Sequence, residues 1–314
     1  MLKFLLKNNN EVFATLVNPI AFSMNMDEDI PADDISVSFV GCKDVSNAEN
    51  IDVYNDDVLI FTGIIDEIQR FAGKSEVVTR IVARSLAAAL LDNESKPVSY
   101  SELSTSVLFM NHIRPYGIEK YIGEERTLFG SLNISKGTTN WQVAQNFCVQ
   151  VYGSMPRVEP DGRICLNGLQ NEKSVLFSVD NGIKYNSIKE NTKPCKMITK
   201  VYSKLTEDGD YSAVTENPSA TGNVRRERYI DASNPYVPLT LAESVIKNSM
   251  RNSYVITLRC FGRLTDLLGA KAEIHDKVLG ELKDLYVSSL FYSLSSYGEY
   301  TTVTLKRREE NVDT

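Results

Sequence analysis

Cysteine is scarce and irregularly placed in this sequence of 314 residues. The five cysteines show no CxxC spacing, and an odd number cannot all pair within one chain. They are Cys42, Cys148, Cys165, Cys195 and Cys260. We therefore expect small buried hydrophobic residues of a reducing compartment, and neither a disulfide framework nor a cysteine zinc site.

Long apolar runs and basic blocks are also missing. No apolar run approaches the roughly 20 residues that a membrane-spanning helix needs, and residues 1–7 are too short and poorly flanked for a signal peptide. The formal net charge is −7, which argues against tight binding to duplex nucleic acid through its phosphates. The sequence thus predicts a protein made in the cytoplasm, with neither a membrane nor a tightly bound nucleic acid as partner.

Catalytic and cofactor motifs are absent as well. His112 and His275 are far apart in sequence, and neither has a partner at a metal-ligand spacing, so each is expected in a turn or at the surface. There is no G-x-S-x-G elbow and no phosphate-binding glycine loop. We therefore predict no catalytic residue, metal or cofactor. Only paired carboxylates of a glycoside hydrolase stay open as an alternative, because acidic residues are common.

What the sequence does contain is a β-ribbon over residues 51–91. Residues 51–54 and 58–65 are rich in β-branched and aromatic side chains, and Asn55-Asp56-Asp57 separates them with turn-forming residues. A second turn at residues 72–74 leads to another apolar strand at 77–83. Residues 85–91 then change to strong helix formers. The pattern predicts three antiparallel strands followed by a short helix.

A similar ribbon recurs near the C-terminus. Residues 272–280 predict strand, turn and short strand, residues 285–294 a longer strand, and residues 300–306 its return after a turn. Identity between the two ribbons is low, so the repeat is one of pattern, and chance similarity of two hairpin runs is the alternative. A true repeat would make the two ends of the chain similar modules.

The fold class predicted is mainly β with an α+β insertion. Apolar content of 42% and charged content of 24% are ordinary for globular proteins, so disorder is not expected to dominate. We expect a small antiparallel β-barrel over 1–98, an outer α+β domain over 99–170, and a second similar barrel over 171–314. The second barrel would carry a helical and loop insertion around 205–252. The strongest helix prediction is 138–152, with Thr138 or Thr139 as cap and Gly153 at its end.

Several segments together resemble a known family. They are "VYNDDVLIFTGIIDEIQ" (53–69), "VARSLAAALLD" (82–92), "TTNWQVAQNFCVQVYGSMPRVEPDGRICLNG" (138–168) and "LKDLYVSSLFYSLSSYGEYTTVTLKRR" (282–308). Their order is similar to that in the baseplate hub proteins of contractile-tailed phages, contractile bacteriocins and defective prophages, the group allied to late control protein D. The resemblance covers nearly the whole chain and carries no catalytic signature.

The resemblance implies a homotrimer whose two barrels per subunit alternate around a channel. Such a ring would join the tail tube, or a tube-initiator protein, above to the central spike protein below, with the tape-measure protein a candidate for the lumen. The protein would be made in the bacterial cytoplasm and become part of an assembled phage tail or tail-like particle. As candidate subunit-interface residues we name five in the two ribbons. They are Val58, Ile60, Phe61, Leu290 and Tyr292.

Two alternatives belong to other functional classes. One is a tail-associated cell-wall hydrolase or wall-binding module with an unrecognised carboxylate pair. The other is a monomeric carbohydrate-binding module. Lysis of peptidoglycan would favour the first, and the mass of the chain in solution distinguishes the second from a trimer.

Overall fold

The first ribbon lies within a set of seven strands formed by the N-terminal 85 residues. A computed structural model describes residues 1–41, 45–73, 76–206, 208–220, 224–231 and 242–308. The N-terminal strands are β1 (Leu2–Asn8), β2 (Glu11–Val17), β3 (Ala21–Asp27), β4 (Asp34–Val40), β5 (Asn50–Asn55), β6 (Val58–Ala72) and β7 (Val77–Ser85). The short helix α1 (Ala87–Asp92) follows, as the helix-forming run predicts. We call β1 and β3–β7 the N-terminal copy.

The second ribbon lies in a matching set of strands. These are β13 (Ser174–Ser178), β14 (Tyr185–Thr192), β18 (Tyr254–Phe261), β19 (Lys271–Asp276), β20 (Gly280–Ser295) and β21 (Gly298–Arg307). We call them the C-terminal copy. The connections at 56–57, 277–279 and 296–297 therefore fall where the turn-forming residues predict them, while residues 74 and 75 of the remaining connection lie outside the described residues.

Both copies have the same strand order. The N-terminal copy runs β1-β5-β6-β7-β4-β3, and the C-terminal copy runs β13-β19-β20-β21-β18-β14. In its pairing with the strand that follows, each long strand also has an irregularity at the same place, between Ile65 and Glu67 in β6 and between Val287 and Ser289 in β20. Six strands with a shared order and a shared bulge exclude chance similarity of two hairpins, so the repeat is real.

The strand pairing of the copies differs in two respects. The pair β1–β5 is antiparallel, whereas its counterpart β13–β19 is parallel, so the second unit is not wholly antiparallel as predicted. The N-terminal copy also has the additional strand β2, paired only with β1 among the described strands. The ribbon pattern could not reveal either difference, because each depends on a strand outside the ribbons, namely β1, β2 or β13.

The two copies form one continuous sheet. Strand β20 pairs with β3 through six residue pairs, and this joins all the strands named above into a 13-stranded sheet. The predicted class, mainly β with an α+β insertion, is confirmed. In place of two separate barrels, the ladder pairings of the described residues run from one copy into the other and return neither copy onto itself.

One hydrophobic core fills both copies. It contains alternate residues of the paired strands, because successive side chains of a strand point to opposite faces. At its centre Phe4 packs edge-on against Phe22 and Phe39, with ring centroids 5.2 and 5.3 Å apart. Such T-shaped pairs stabilise a core beyond the area they bury. The core therefore ties the halves together.

The outer unit has a separate core. Its elements are β8 (Val98–Ser104), α2 (Thr105–Leu108), a π-helical turn (Phe109–Ile113), a 3-10 turn (Arg114–Tyr116), β9 (Tyr121–Ile122), β10 (Thr127–Ile134), α3 (Asn140–Tyr152), β11 (Arg157–Val158) and β12 (Ile164–Cys165). Ala32 and, from the segment after β7, Leu86, Ala87, Leu90 and Leu91 pack into this core. The buried ion pair between Arg157 and Asp33 also fastens the outer unit to the N-terminal copy. The domain boundaries at 98 and 170 stay a prediction.

Helix α3 begins with a complete capping box. Thr139 accepts a hydrogen bond from the Gln142 backbone N–H at 3.2 Å, and Gln142 accepts one from the Thr139 N–H at 2.8 Å. Gly153 ends the helix with φ 69°, a left-handed conformation that glycine adopts without strain. The predicted cap and stop are therefore both confirmed.

Thr139→Ala is expected to lower the free energy of unfolding by about 1 kcal/mol, because one N-terminal N–H of α3 loses its acceptor. Urea denaturation of the purified chain measures the change. Thr138→Ala is the matched control, because the Thr138 side chain caps no backbone N–H. An equal loss in both variants would contradict the capping role.

A third, smaller unit interrupts the C-terminal copy between β14 and β18. It contains β15 (Lys200–Lys204), β16 (Ala213–Glu216), β17 (Glu227–Asp231) and α4 (Ala242–Arg251). The strand β15 lies between β16, antiparallel to it, and β17, parallel to it. This unit overlaps the insertion predicted around 205–252, of which residues 207, 221–223 and 232–241 lie outside the described residues.

Candidate functional site

The β20–β3 junction is where one copy of the repeated sheet meets the other. Residues 289–294 of β20 lie opposite residues 22–27 of β3 in an antiparallel ladder. On the opposite edge the same part of β20 pairs with β21. The proximal part of β20, residues 280–286, pairs instead with β19. One edge of β20 therefore pairs with two strands, first with β19 and further along with β3.

Apolar side chains bury the inner face of the junction. Tyr292 lies opposite Met24, and Leu290 lies opposite Met26. The rings of Tyr292 and Phe22 meet edge-on with centroids 5.6 Å apart. The Tyr292 hydroxyl donates a 2.6 Å hydrogen bond to Glu299, and burial together with this carboxylate raises the pKa of the phenol. The junction is packed like the interior of a single domain.

An ionic cluster closes the end of the junction. Lys306 Nζ lies 3.2 Å from Glu28 Oε1 and 2.8 Å from Asp29 Oδ2. Arg251 reaches Asp29 at 3.2 Å, and the Tyr286 hydroxyl donates to Glu28 at 2.7 Å. Burial is the main cause that raises the pKa of the Tyr286 phenol, and the negative charge of Glu28 is the second. Because each carboxylate has a cationic partner, the cluster binds the loop after β3 to the C-terminal copy.

One strand edge in each copy is equivalent to an edge of the β20–β3 junction but has no partner strand among the described residues. Residues 66–72 of β6 correspond to the part of β20 that pairs with β3, yet among the described strands they pair only with β7. Strand β14, the counterpart of β3, pairs among the described strands only with β18. Open strand edges are templates for pairing with another chain.

Four of the five predicted interface residues are buried or half-buried within their own chain. Leu290 and Tyr292 are fully buried at the junction, and Phe61 is buried in the core. Ile60 is half-buried against the same core, while Val58 is 64% exposed. Leu290 and Tyr292 thus contact the other copy of their own chain. Contact of any of the five with a second subunit stays a prediction.

His112 is part of a buried hydrogen-bonded cluster, contrary to the expected turn or surface position. Its Nδ1 lies 3.1 Å from both Ser95 Oγ and Asn140 Oδ1, and its Nε2 lies 2.9 Å from the Tyr100 hydroxyl. Burial lowers the pKa of the imidazole. Spacing alone could not show this, because the partners are up to 28 residues away.

The cluster resembles a serine triad in composition but not in geometry. In a triad the nucleophile and the orienting group contact opposite ring nitrogens, whereas Ser95 and Asn140 both contact Nδ1. All three side chains are buried, so a substrate has no access to Ser95. The arrangement instead ties the segment after α1 to the start of α3.

The described residues contain neither a candidate metal site nor a candidate membrane helix. No group of three or more His, Cys, Asp or Glu there is arranged to hold a metal ion. No helix in those ranges is long and apolar enough to span a membrane. Of the four described cysteines, three are buried as expected, but Cys195 is exposed. Cys42 lies outside the described residues.

Solved structures with the same fold come from bacterial prophages and secretion systems. A tail protein from Neisseria meningitidis MC58 is 16% identical, with a TM-score of 0.75 over 98% of this chain and 96% of that chain. The 43 kDa tail protein of prophage MuSo2 from Shewanella oneidensis is 13% identical, with a TM-score of 0.77 over 97% and 96%. Both likenesses extend over nearly the whole of each chain.

A more distant likeness involves a secretion apparatus. The E. coli c3393 protein, a component of the type VI secretion system with structural similarity to T4 bacteriophage tail proteins gp27 and gp5, is 6% identical, with a TM-score of 0.57 over 94% of this chain and 75% of that chain. No protein-family model and no curated protein matches the sequence. The chain therefore has the fold of phage tail proteins, which confirms the resemblance drawn from the sequence at the level of fold.

Proposed function

We propose that the chain is a structural component of a phage tail or tail-like injection particle. In this proposal three chains form a head-to-tail ring that joins the tail tube, or a tube-initiator protein, to the central spike. The chain would be made in the bacterial cytoplasm and act as part of the assembled particle. The proposal assigns it no catalytic step.

The observation that supports the proposal most strongly is the β20–β3 junction. It joins two copies with one strand order inside a single chain, and it leaves the equivalent edges of both copies open. Repeating the same contact between chains adds copies in a line, and a constant rotation closes that line into a ring. Three chains would supply six copies, the number implied by the resemblance to hub proteins.

The charge and the fold also agree with a ring that connects tail components and lets other molecules pass through its lumen. The net charge of −7 would repel a nucleic acid passing through the lumen instead of binding it. The likeness to tail proteins over nearly the full chain supports a place in the tail. The tape-measure protein is a candidate occupant of the lumen before injection.

The proposal predicts that the purified chain forms a trimer, and sedimentation equilibrium over a range of concentrations measures this. Electron micrographs should show closed rings with three-fold symmetry and six similar lobes. A chain that stays monomeric up to its solubility limit, or open filaments in place of rings, would contradict the ring. Lysis of peptidoglycan by the purified chain would favour the hydrolase alternative instead.

A further inference from the structure

We propose that residues 67–72 of β6 pair with residues 188–193 of a second copy of this chain. The contact adds β14 and its following residue to the open edge of β6, in the register of the β20–β3 junction. This inference rests on the proposed ring and assigns the strands, the register and the charge pairs that close it.

The equivalence of the edges follows from matching rows across each copy. In the N-terminal copy one row runs through Ile68, Ile81, Val37 and Phe22. In the C-terminal copy the same row runs through Leu290, Val303, Leu258 and Ile188. Ile68 therefore corresponds to Leu290, and Phe22 corresponds to Ile188. These two correspondences give, for each residue pair of the β20–β3 junction, the equivalent pair between β6 and β14 of a second chain.

Transferring the register places opposite charges face to face. Leu294 lies opposite Phe22, Tyr292 opposite Met24, and Ser289 opposite Asp27 at the junction within the chain. The corresponding pairs between chains are Ala72 with Ile188, Arg70 with Glu190, and Glu67 with Lys193. Directly opposed residues of an antiparallel pair interact, and opposite charges there are favourable. Two charge pairs of the correct sign support this register.

The exposure of the two edges also fits a covering strand. The Phe71 side chain is 56% exposed, and the transferred register sets it opposite Lys189, whose aliphatic stem would cover the ring. Arg70 and Glu190 are exposed, whereas their counterparts Tyr292 and Met24 are buried at the junction. The same positions are therefore buried where a partner strand is present and exposed where it is not.

The charge pairs also favour pairing of β14 with β6 of a second chain over pairing of β14 with β20. If β14 paired with β20 in place of β3, Glu190 would face Tyr292 and have no cation opposite it. A buried charge without a partner is strongly unfavourable, so this exchange is disfavoured. Specificity of this kind comes from a penalty on the wrong partner as much as from a gain with the right one. Chains would therefore join head to tail without exchanging edges.

A cysteine pair tests the register directly. Gln69 corresponds to Phe291, which lies opposite Asn25, so its partner in the second chain is Asn191. In a Cys195→Ser background, oxidised Gln69→Cys/Asn191→Cys should run on a non-reducing gel as dimers and trimers. Gln69→Cys/Thr192→Cys is the matched control, because a shift of one residue points the second thiol to the opposite face. It should stay at least tenfold less cross-linked.

Charge reversal tests the proposed ion pair. Arg70→Glu and Glu190→Arg should each weaken trimer formation at least tenfold, and the double reversal should restore most of the affinity. Glu190 also accepts a 2.6 Å hydrogen bond from Tyr254, so Tyr254→Phe is needed as a control and should leave the trimer unchanged. Glu102→Lys, an exposed charge change on β8, controls for net charge.

The results of these experiments test the proposed register and the proposed ring separately. Cross-linking at 69 and 191 together with rescue by the double reversal supports both. A trimer that shows neither effect overturns the register and leaves the ring standing. A chain that stays monomeric up to its solubility limit overturns both.

Discussion

Tyr292→Ala is expected to lower the free energy of unfolding by about 3–5 kcal/mol, the cost of removing a large aromatic side chain from a core. Tyr292 is fully buried where the two copies meet, and its ring packs against Phe22. The cavity would open between the copies and not within either one. Urea denaturation followed by tryptophan fluorescence and by circular dichroism measures both the loss and its cooperativity.

Tyr292→Phe is the matched control. It keeps the ring and removes only the 2.6 Å hydrogen bond to Glu299, so it should cost about 1 kcal/mol. If the alanine variant lost no more than the phenylalanine variant, the junction would not be packed as described. If the ring proposal holds, the alanine variant should also trimerise less, because β20 and β3 would no longer be held in a fixed relation.

Arg157→Met is expected to destabilise the chain by about 3–5 kcal/mol, because it leaves a buried carboxylate without its cation. Arg157 Nη2 lies 2.6 and 2.7 Å from the two oxygens of Asp33, and the side chains are 7% and 5% exposed. The pair connects the outer unit to the N-terminal copy. Thermal unfolding of the purified variant measures the loss.

Two further variants separate the charge from the packing. Arg157→Met/Asp33→Asn removes the unpaired charge and should recover most of the lost stability. Arg163→Met breaks an exposed pair with Asp161, whose side chains are 46% and 40% exposed, and should cost less than about 1 kcal/mol. Equal losses from Arg157→Met and Arg163→Met would contradict the role of burial.

The loss in Arg157→Met should also depend on pH. Burial raises the pKa of Asp33 to about 6 even though Arg157 opposes the shift, so without Arg157 it should rise further. An unfolded aspartate titrates near about 3.9, so between these values the folded state binds more protons and stability falls as pH rises. In the wild type this fall ends at about pH 6, whereas in the variant it continues. The difference between the two should therefore be smaller at about pH 4 than at about pH 8.

The sequence allowed the ribbons to be predicted because their signals are local. Turn-forming residues at 55–57 and 276–280 bound strands of regular apolar alternation, and both hairpins form there. Helix α3 was predicted for the same reason, with its cap and its terminal glycine within one segment. Strand β6 extends to Ala72, beyond the predicted end at 65. Its distal half lacks dense β-branched residues, and pairing with β7 defines it as strand.

The junction could not be predicted, because its two strands are separated by more of the chain than any periodic pattern spans. Leu290 and Tyr292 are candidates because they lie in the second ribbon of a chain that resembles hub proteins, and an apolar strand residue indicates a buried face without indicating what covers it. The cover is β3 of the same chain. The positions proposed for the interface between chains include Arg70 and Glu190, and that proposal depends on the register of the β20–β3 junction, which the sequence pattern does not give.

The unit inserted between β14 and β18 has a consequence for the particle around it. In the N-terminal copy the corresponding connection is the short loop between β3 and β4, so only alternate lobes of the proposed ring carry the extra module. Six lobes would then bear three protrusions, one at every second position. A partner that recognises these modules has three equivalent places to attach, whereas one that touches only the shared strands has six.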